Sequence, residues 1–265
     1  MESGNRNAFG LEGRVCVISG AGSGIGRGTA LALAADGAKV AVLDRNAAGA
    51  EETLGLIRKA GSEGIALACD ISDQAAVESA GHEVAERLGP AYALINNAAV
   101  LQSGNLTDMA LDDWNRLFAI NLTGYLICSQ VFGRMMLDRG EGSVVHTSSI
   151  GARFVTGGLG AYSISKAAVI SMSNLLAAEW GPKGVRSNVI LPGLIQTPFS
   201  QAAYEDPRNV EARQNAIPLR RIGQPEDLAQ VALFLASPRS GYVNGAEIMV
   251  DGGFSHNVMS LIPRF

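Results

Sequence analysis

Tyr162 and Lys166 stand four residues apart in Tyr162-Ser163-Ile164-Ser165-Lys166, with Ser149 upstream. A free phenol has a pKa near 10 and is a poor base at neutral pH. In a helix, residues at this spacing share a face, so the ammonium would stand beside the phenol. One positive charge about 4 Å away, at an effective dielectric near 20, is worth about 4 kcal/mol. Each pKa unit is about 1.4 kcal/mol, so that charge could bring the phenol close to neutrality. A hydroxyl such as Ser149 would hold a reacting oxygen beside it. The trio predicts an acid/base centre, although Tyr-x-x-x-Lys also arises as a surface accident.

A second constellation lies near the start of the chain. The apolar run Arg14-Val15-Cys16-Val17-Ile18-Ser19 reads as a strand and enters Gly20-Ala21-Gly22-Ser23-Gly24-Ile25-Gly26. A helical pattern follows to Asp36-Gly37. Strand, glycine turn and helix aim backbone N–H groups at a phosphate. The strict G-x-G-x-x-G template fails, and G-x-x-x-G-x-G fits at Gly20, Gly24 and Gly26. A glycine turn can also serve tight packing only. The next strand, Lys39–Leu43, ends on Asp44, placed to hold both ribose hydroxyls of an adenosine and to repel a 2′-phosphate. No basic residue lies between Gly20 and Gly26, and the adjacent Arg45 does not remove the acid. NAD is therefore expected over NADP.

At this point the chain resembles the classical short-chain dehydrogenase/reductase family over nearly its whole length. The matching segments occur in the family's order. They are Ser19 through Gly26, Asp70 after the third strand, Asn96-Asn97-Ala98-Ala99, Asn121, Ser149, Tyr162 with Lys166, Pro192-Gly193 with Thr197, and Asn244-Gly245 leading to Val250-Asp251-Gly252-Gly253. Ser19 stands for the usual threonine and keeps its hydroxyl; Ala99 stands for the usual glycine and adds a methyl. The resemblance implies an oxidoreductase moving a hydride between a secondary alcohol and its ketone. Ser149, Tyr162 and Lys166 would be catalytic, with Asn121 holding a water that links the lysine to solvent. Gly20, Ser23, Gly24, Ile25 and Gly26 would carry the pyrophosphate, Asp44 the ribose, and Asp70 with Ile71 the adenine. Asn97, Tyr162 and Lys166 would contact the nicotinamide end, and Gly193, Ile195 and Thr197 the carboxamide. Two alternatives remain: a 3-oxoacyl thioester reductase, and a non-catalytic dinucleotide-binding protein of the same fold.

Those residues need a scaffold. Continuous apolar runs recur at Val15–Ile18, Val40–Leu43, Ile65–Ala68, Ala93–Ile95, Val144–His146, Arg186–Ile190 and Glu247–Val250, as in a parallel sheet buried on both faces. Helical patterns alternate with them over Gly24–Asp36, Ala47–Ala60, Asp73–Leu88, Leu111–Arg139, Ala161–Trp180 and Pro225–Leu235. The pattern predicts an α/β fold: a single doubly wound Rossmann domain over residues 1–265, with a seven-stranded parallel sheet flanked by helices. Asp44, Asp70, Asn97, Ser149 and Gly193 all follow predicted strands, so they should meet along one sheet edge. Asp70 could instead cap the helix near Asp73, and Asn121 could be a buried polar kink. The stretch Leu194–Ile217 reads as irregular and as a substrate lid. Candidate substrate positions are Val100, Leu101, Gly151, Phe154, Val155, Leu159, Leu194, Phe199 and Tyr204, a mostly apolar set.

Composition narrows the classes. Of 265 residues, 47% are hydrophobic, enough for a large core. With 17% charged residues and a net charge of −4, no basic patch invites nucleic acid. No run reaches the roughly 18 apolar residues of a membrane span. Cys16, Cys69 and Cys128 lie in apolar patterns, an odd number without metal-ligand spacing, which predicts reduced thiols, no metal and a cytoplasmic protein. His146 reads as a satisfied strand histidine. Met1 to Asn7 has no apolar signal core. The small residues of Ala161–Trp180 would allow close helix contact and the apolar stretch Val258–Pro263 needs somewhere to pack; the resemblance implies a homotetramer built through such helices.

Overall fold

The structure, a computed structural model, describes residues 7–257. The stretch Val258–Pro263 and residues 1–6 of the N-terminal reading lie outside the described residues.

Seven strands form one sheet: β1 (Val15–Ser19), β2 (Lys39–Asp44), β3 (Gly64–Ala68), β4 (Ala91–Asn96), β5 (Gly142–Thr147), β6 (Val185–Pro192) and β7 (Glu247–Val250). The order is β3-β2-β1-β4-β5-β6-β7, and each neighbouring pair is parallel. The continuous apolar runs have a simple cause. Cys16, Ile18, Val40 and Val42 enter the core on one face, while Val17, Ala41 and Leu43 enter the core on the other. Alternate side chains of the central strands are therefore buried on opposite faces, while the edge strands β3 and β7 are only partly covered.

Helices α1 (Gly24–Ala35) and α8 (Pro225–Ala236) cover the first face through Ala30, Leu33, Ala34, Leu228, Ala232 and Leu235. Helices α3 (Gln74–Arg87) and α5 (Gly124–Arg139) cover the second through Val77, Val84, Tyr125, Phe132 and Met136. Helix α2 (Ala47–Lys59) begins with Asn46 accepting the Gly49 N–H. Helix α6 (Tyr162–Trp180) leaves Ala167, Ser171, Leu175 and Ala178 exposed. No helix among the described residues is long and apolar enough to cross a membrane.

Three expectations change. The stretch Leu111–Arg139 is not one helix but α4 (Leu111–Phe118), a π turn over Ala119–Thr123, and α5. Asn121 lies in that π turn with its amide tied to the backbone of Val100 and to Ser165 Oγ, which opens the helix locally. Residues 194–217 are not irregular. A 3-10 helix spans Pro198–Tyr204 and α7 spans Pro207–Ala216. Each begins at a proline behind a capping residue, Thr197 with Ser200 and Asp206 with the Arg208 N–H, so the prolines mark first helical positions. Finally, Asp73 caps α3 while Asp70 accepts from Ser72, so Asp70 is not that cap.

Candidate active site

The strand order turns back between β1 and β4, so a crevice opens beyond their carboxyl ends. A cavity of about 370 Å³ occupies it. Its walls include Gly20, Ser23, Gly24, Ile25, Asp44, Asp70, Ile71, Asn97, Ser149, Tyr162, Lys166, Gly193, Ile195 and Thr197. The strand-end residues thus converge as their positions predict. Gly26 and Asn121 do not line it. Asn121 is fully buried and held away from the cavity by Val100 and Ser165.

The glycine turn is built for close approach. Gly20 and Gly24 have φ of +66° and +53°, which a side chain disfavours. A Cβ on Gly26 would lie 2.2 Å from the Gly20 carbonyl oxygen, so Gly26 packs beneath the turn. The Gly22 N–H donates to Asp44 Oδ2 at 2.8 Å, and the Asn46 N–H donates to Asp44 Oδ1 at 2.8 Å. These bonds fix the carboxylate at the crevice rim. The Ser19 hydroxyl accepts the N–H groups of Asn97 and Ala98, tying β1 to the end of β4. Asn97 Nδ2 donates to the Gly20 carbonyl at 3.0 Å. A cradle of bare backbone, the N-terminus of α1 and a fixed carboxylate beyond it fit a dinucleotide.

At the other end, Tyr162 opens α6 and Ser149 follows β5. Both side chains line the cavity, and Ser149 Oγ accepts the Gly151 N–H at 3.0 Å. The expected Tyr162–Lys166 pairing differs from the sequence reading. Lys166 Nζ donates to the Thr147 carbonyl at 2.8 Å and to the Tyr125 hydroxyl at 3.2 Å, while it stands 5.8 Å from the centre of the Tyr162 ring. Burial pushes the Lys166 ammonium down to about 7. Burial also pushes the Tyr162 phenol up to about 12, against a smaller lowering by Ser149. Desolvation outweighs the Coulomb gain inferred from helical spacing.

Tyr125 was unforeseen here. It reads as one more core aromatic, and burial holds its phenol well above the usual value. His146 is buried, and Asn96 Nδ2 lies 3.3 Å from its Nδ1, but its Nε2 has no partner among the described residues. It is thus half satisfied, not satisfied, and burial pushes it down to about 3. Cys16, Cys69 and Cys128 are buried and free. Of the candidate substrate positions, Val100, Leu194, Phe199 and Tyr204 line the cavity, and Leu101 lines an adjoining hollow. Gly151, Phe154, Val155 and Leu159 do not; Val155 is 79% exposed. Ser200, Ala203 and Arg213 also line it and were not foreseen.

Residues 20–255 match a family described as Enoyl-(Acyl carrier protein) reductase. The chain is 43% identical over 251 residues to an uncharacterised short-chain type dehydrogenase/reductase of Sinorhizobium fredii, covering 92% of this chain and 98% of the relative. The chain belongs to the short-chain dehydrogenase/reductase family. Another relative within the short-chain dehydrogenases/reductases is a D-threitol dehydrogenase of Mycolicibacterium smegmatis, 37% identical, with 93% of this chain and 95% of the relative covered. A solved gluconate 5-dehydrogenase of Burkholderia cenocepacia, in complex with NADP and tartrate, superposes with a TM-score of 0.90 at 31% identity, over 96% of this chain and 100% of that one.

Proposed function

We propose that the chain is an NAD-dependent dehydrogenase interconverting a secondary alcohol and its ketone. The observation that carries this reading is that Ser149, Tyr162 and Lys166 line the same cavity as the glycine cradle. A bound nicotinamide dinucleotide would supply the two-electron acceptor or donor. Tyr162 takes the alcohol proton in one direction and returns it to the carbonyl oxygen in the other. Ser149 donates a hydrogen bond to that oxygen. Burial raises the Tyr162 phenol and Ser149 lowers it, so the hydroxyl partner acts in the direction that eases proton exchange. Threitol and galactitol dehydrogenases among the relatives support an alcohol substrate.

Asp44 supports NAD. Its carboxylate is held at the ribose end by two backbone N–H groups and would meet a 2′-phosphate with like charge. A carrier-bound thioester would need a basic docking surface. Here Arg208 pairs with Asp206 and Arg221 with Asp227, so these exposed arginines carry their own counter-charges. The exposed small-residue face of α6 supports assembly through that helix, and a tetramer by light scattering is expected. The fully buried Lys166, Tyr125 and Asn121 would then orient the site rather than exchange the proton themselves.

The deciding experiment follows absorbance at 340 nm with a panel of secondary alcohols and ketones. Tyr162→Phe should lower turnover at least a thousandfold while NADH still binds by fluorescence titration. A variant that keeps a tenth of the rate would sink the acid/base assignment.

A further inference from the structure

We infer that Arg213 forms an anion site at the substrate end of the cavity, and that the preferred substrate is a hydroxy acid: a secondary alcohol carrying a carboxylate. This rests on the alcohol dehydrogenase reading and adds the chemical class of the substrate.

Helix α7 contributes nothing to the core, since none of its residues is buried. Yet Arg213, in its last turn, is half-buried and lines the cavity together with Phe199, Tyr204, Ser149 and Tyr162. Its guanidinium carbon stands 5.0 Å from the centre of the Tyr204 ring, and the Tyr204 hydroxyl donates to the Ile195 carbonyl at 3.3 Å. The ring is therefore a fixed platform under the cation. Phe199, on the same 3-10 helix as Tyr204, lies 6.4 Å from the Tyr162 ring, centre to centre. The cation and the proton-exchanging phenol thus share one chamber.

Arg213 Nη1 is buried and makes no hydrogen bond with any described residue. That is unlike the arginines around it: Arg208 and Arg221 each hold an aspartate. A desolvated guanidinium N–H without an acceptor is costly, and one carboxylate satisfies it with two parallel bonds. The acids lining the cavity, Asp44 at the end of β2 and Asp70 after β3, belong to the opposite side of the sheet from Ser149 and Tyr162. Lys166 already has the Thr147 carbonyl and the Tyr125 hydroxyl. The unmet positive donor at the reacting end is Arg213. A neutral polyol would leave it unmatched, whereas the carboxylate of a hydroxy acid would fill it and orient the carbinol toward Tyr162.

The test compares hydroxy acids with matched neutral alcohols, gluconate against glucitol and lactate against propane-1,2-diol. Wild type, Arg213→Leu and Arg213→Lys are assayed with NAD. In the wild type kcat/KM should favour the acid of each pair. In Arg213→Leu the acid-to-neutral ratio should fall at least tenfold, through KM, and Arg213→Lys should recover part of it. Malonate should inhibit competitively with the alcohol, with its constant raised at least tenfold in Arg213→Leu. Equal ratios in wild type and both variants, each with an unchanged melting temperature, would overturn the proposal. Discrimination confined to glycerol 3-phosphate against glycerol would overturn the carboxylate assignment. If no alcohol is oxidised but calorimetry shows malonate binding that Arg213→Leu abolishes, the alcohol dehydrogenase reading fails and the anion site stands.

Discussion

Lys166 aims its ammonium at the backbone oxygen of Thr147, 2.8 Å away at the end of β5. Helical spacing put that charge beside Tyr162, but the lysine stem is long enough to pass the ring and reach the strand. The pair couples the start of α6 to the sheet edge and buries a cation at the wall of the cavity. Lys166 is 1% exposed, so its charge is poorly solvated and its pKa falls to about 7 from 10.5.

That shift makes stability depend on pH. Between pH 7 and 10.5 the unfolded lysine binds more proton than the folded one, so stability rises with pH across this window. Below pH 7 the full cost of the buried charge is present. Lys166→Met should therefore gain melting temperature relative to wild type near pH 6, and the gain should shrink steadily toward pH 10. Thermal melts at five pH values would show it. A difference between the two proteins that stays constant with pH would contradict the burial of the charge.

His146 works in the opposite pH range. Its pKa is lowered to about 3 from 6.5, so the unfolded state takes up a proton that the folded state refuses. Stability should fall as pH drops from 6.5 toward 3. His146→Gln should lose less between pH 7 and pH 5 than wild type, read as the change in urea midpoint. Equal losses would mean that acid sensitivity comes from other groups.

Asp44 can be tested by charge alone. Asp44→Asn keeps an acceptor for the Gly22 N–H but removes the repulsion toward a 2′-phosphate. The ratio of kcat/KM for NAD over NADP should fall at least tenfold. An unchanged ratio would move the choice of cofactor to other residues, Arg45 first.

Two glycines should respond in opposite directions to alanine. A methyl on Gly26 would sit 2.2 Å from the Gly20 carbonyl oxygen and 2.7 Å from Asn97 Nδ2, so backbone would have to give way. Overpacking of this kind costs about 1–3 kcal/mol, and Gly26→Ala should also weaken dinucleotide binding at least tenfold. Gly55, within α2, has nothing within 4 Å of an added methyl. Gly55→Ala should stabilise by about 0.5–1 kcal/mol through helix propensity. Chemical denaturation of both variants checks the contrast.

Much of this architecture was legible in the linear chain, because short-range rules govern it. Unbroken apolar runs such as Val40–Leu43 mean strands covered on both faces, and the glycines before α1 mean a turn that admits backbone or phosphate. Strand ends then place Asp44, Asn97 and Ser149 on one edge whatever the loops do. Other features depended on partners distant in sequence. Asn121 opens a helix because Val100 and Ser165 claim its amide, and nothing within α4 or α5 announces that. Thr197-Pro198 and Asp206-Pro207 were readable as helix starts, yet their prolines resemble loop punctuation until the caps are seen.

The residue types, their order and the local spacing of Ser149, Tyr162 and Lys166 were determined by the sequence by itself. What those groups hold, and which of them is charged at neutral pH, only the tertiary structure decided. Desolvation and hydrogen bonding depend on every atom packed around a group, and the neighbours that set them for Lys166, Tyr125 and Thr147, come from a helix and a strand far away along the chain. The same holds for Arg213, whose unmatched donor exists only because α7 folds back over the cavity.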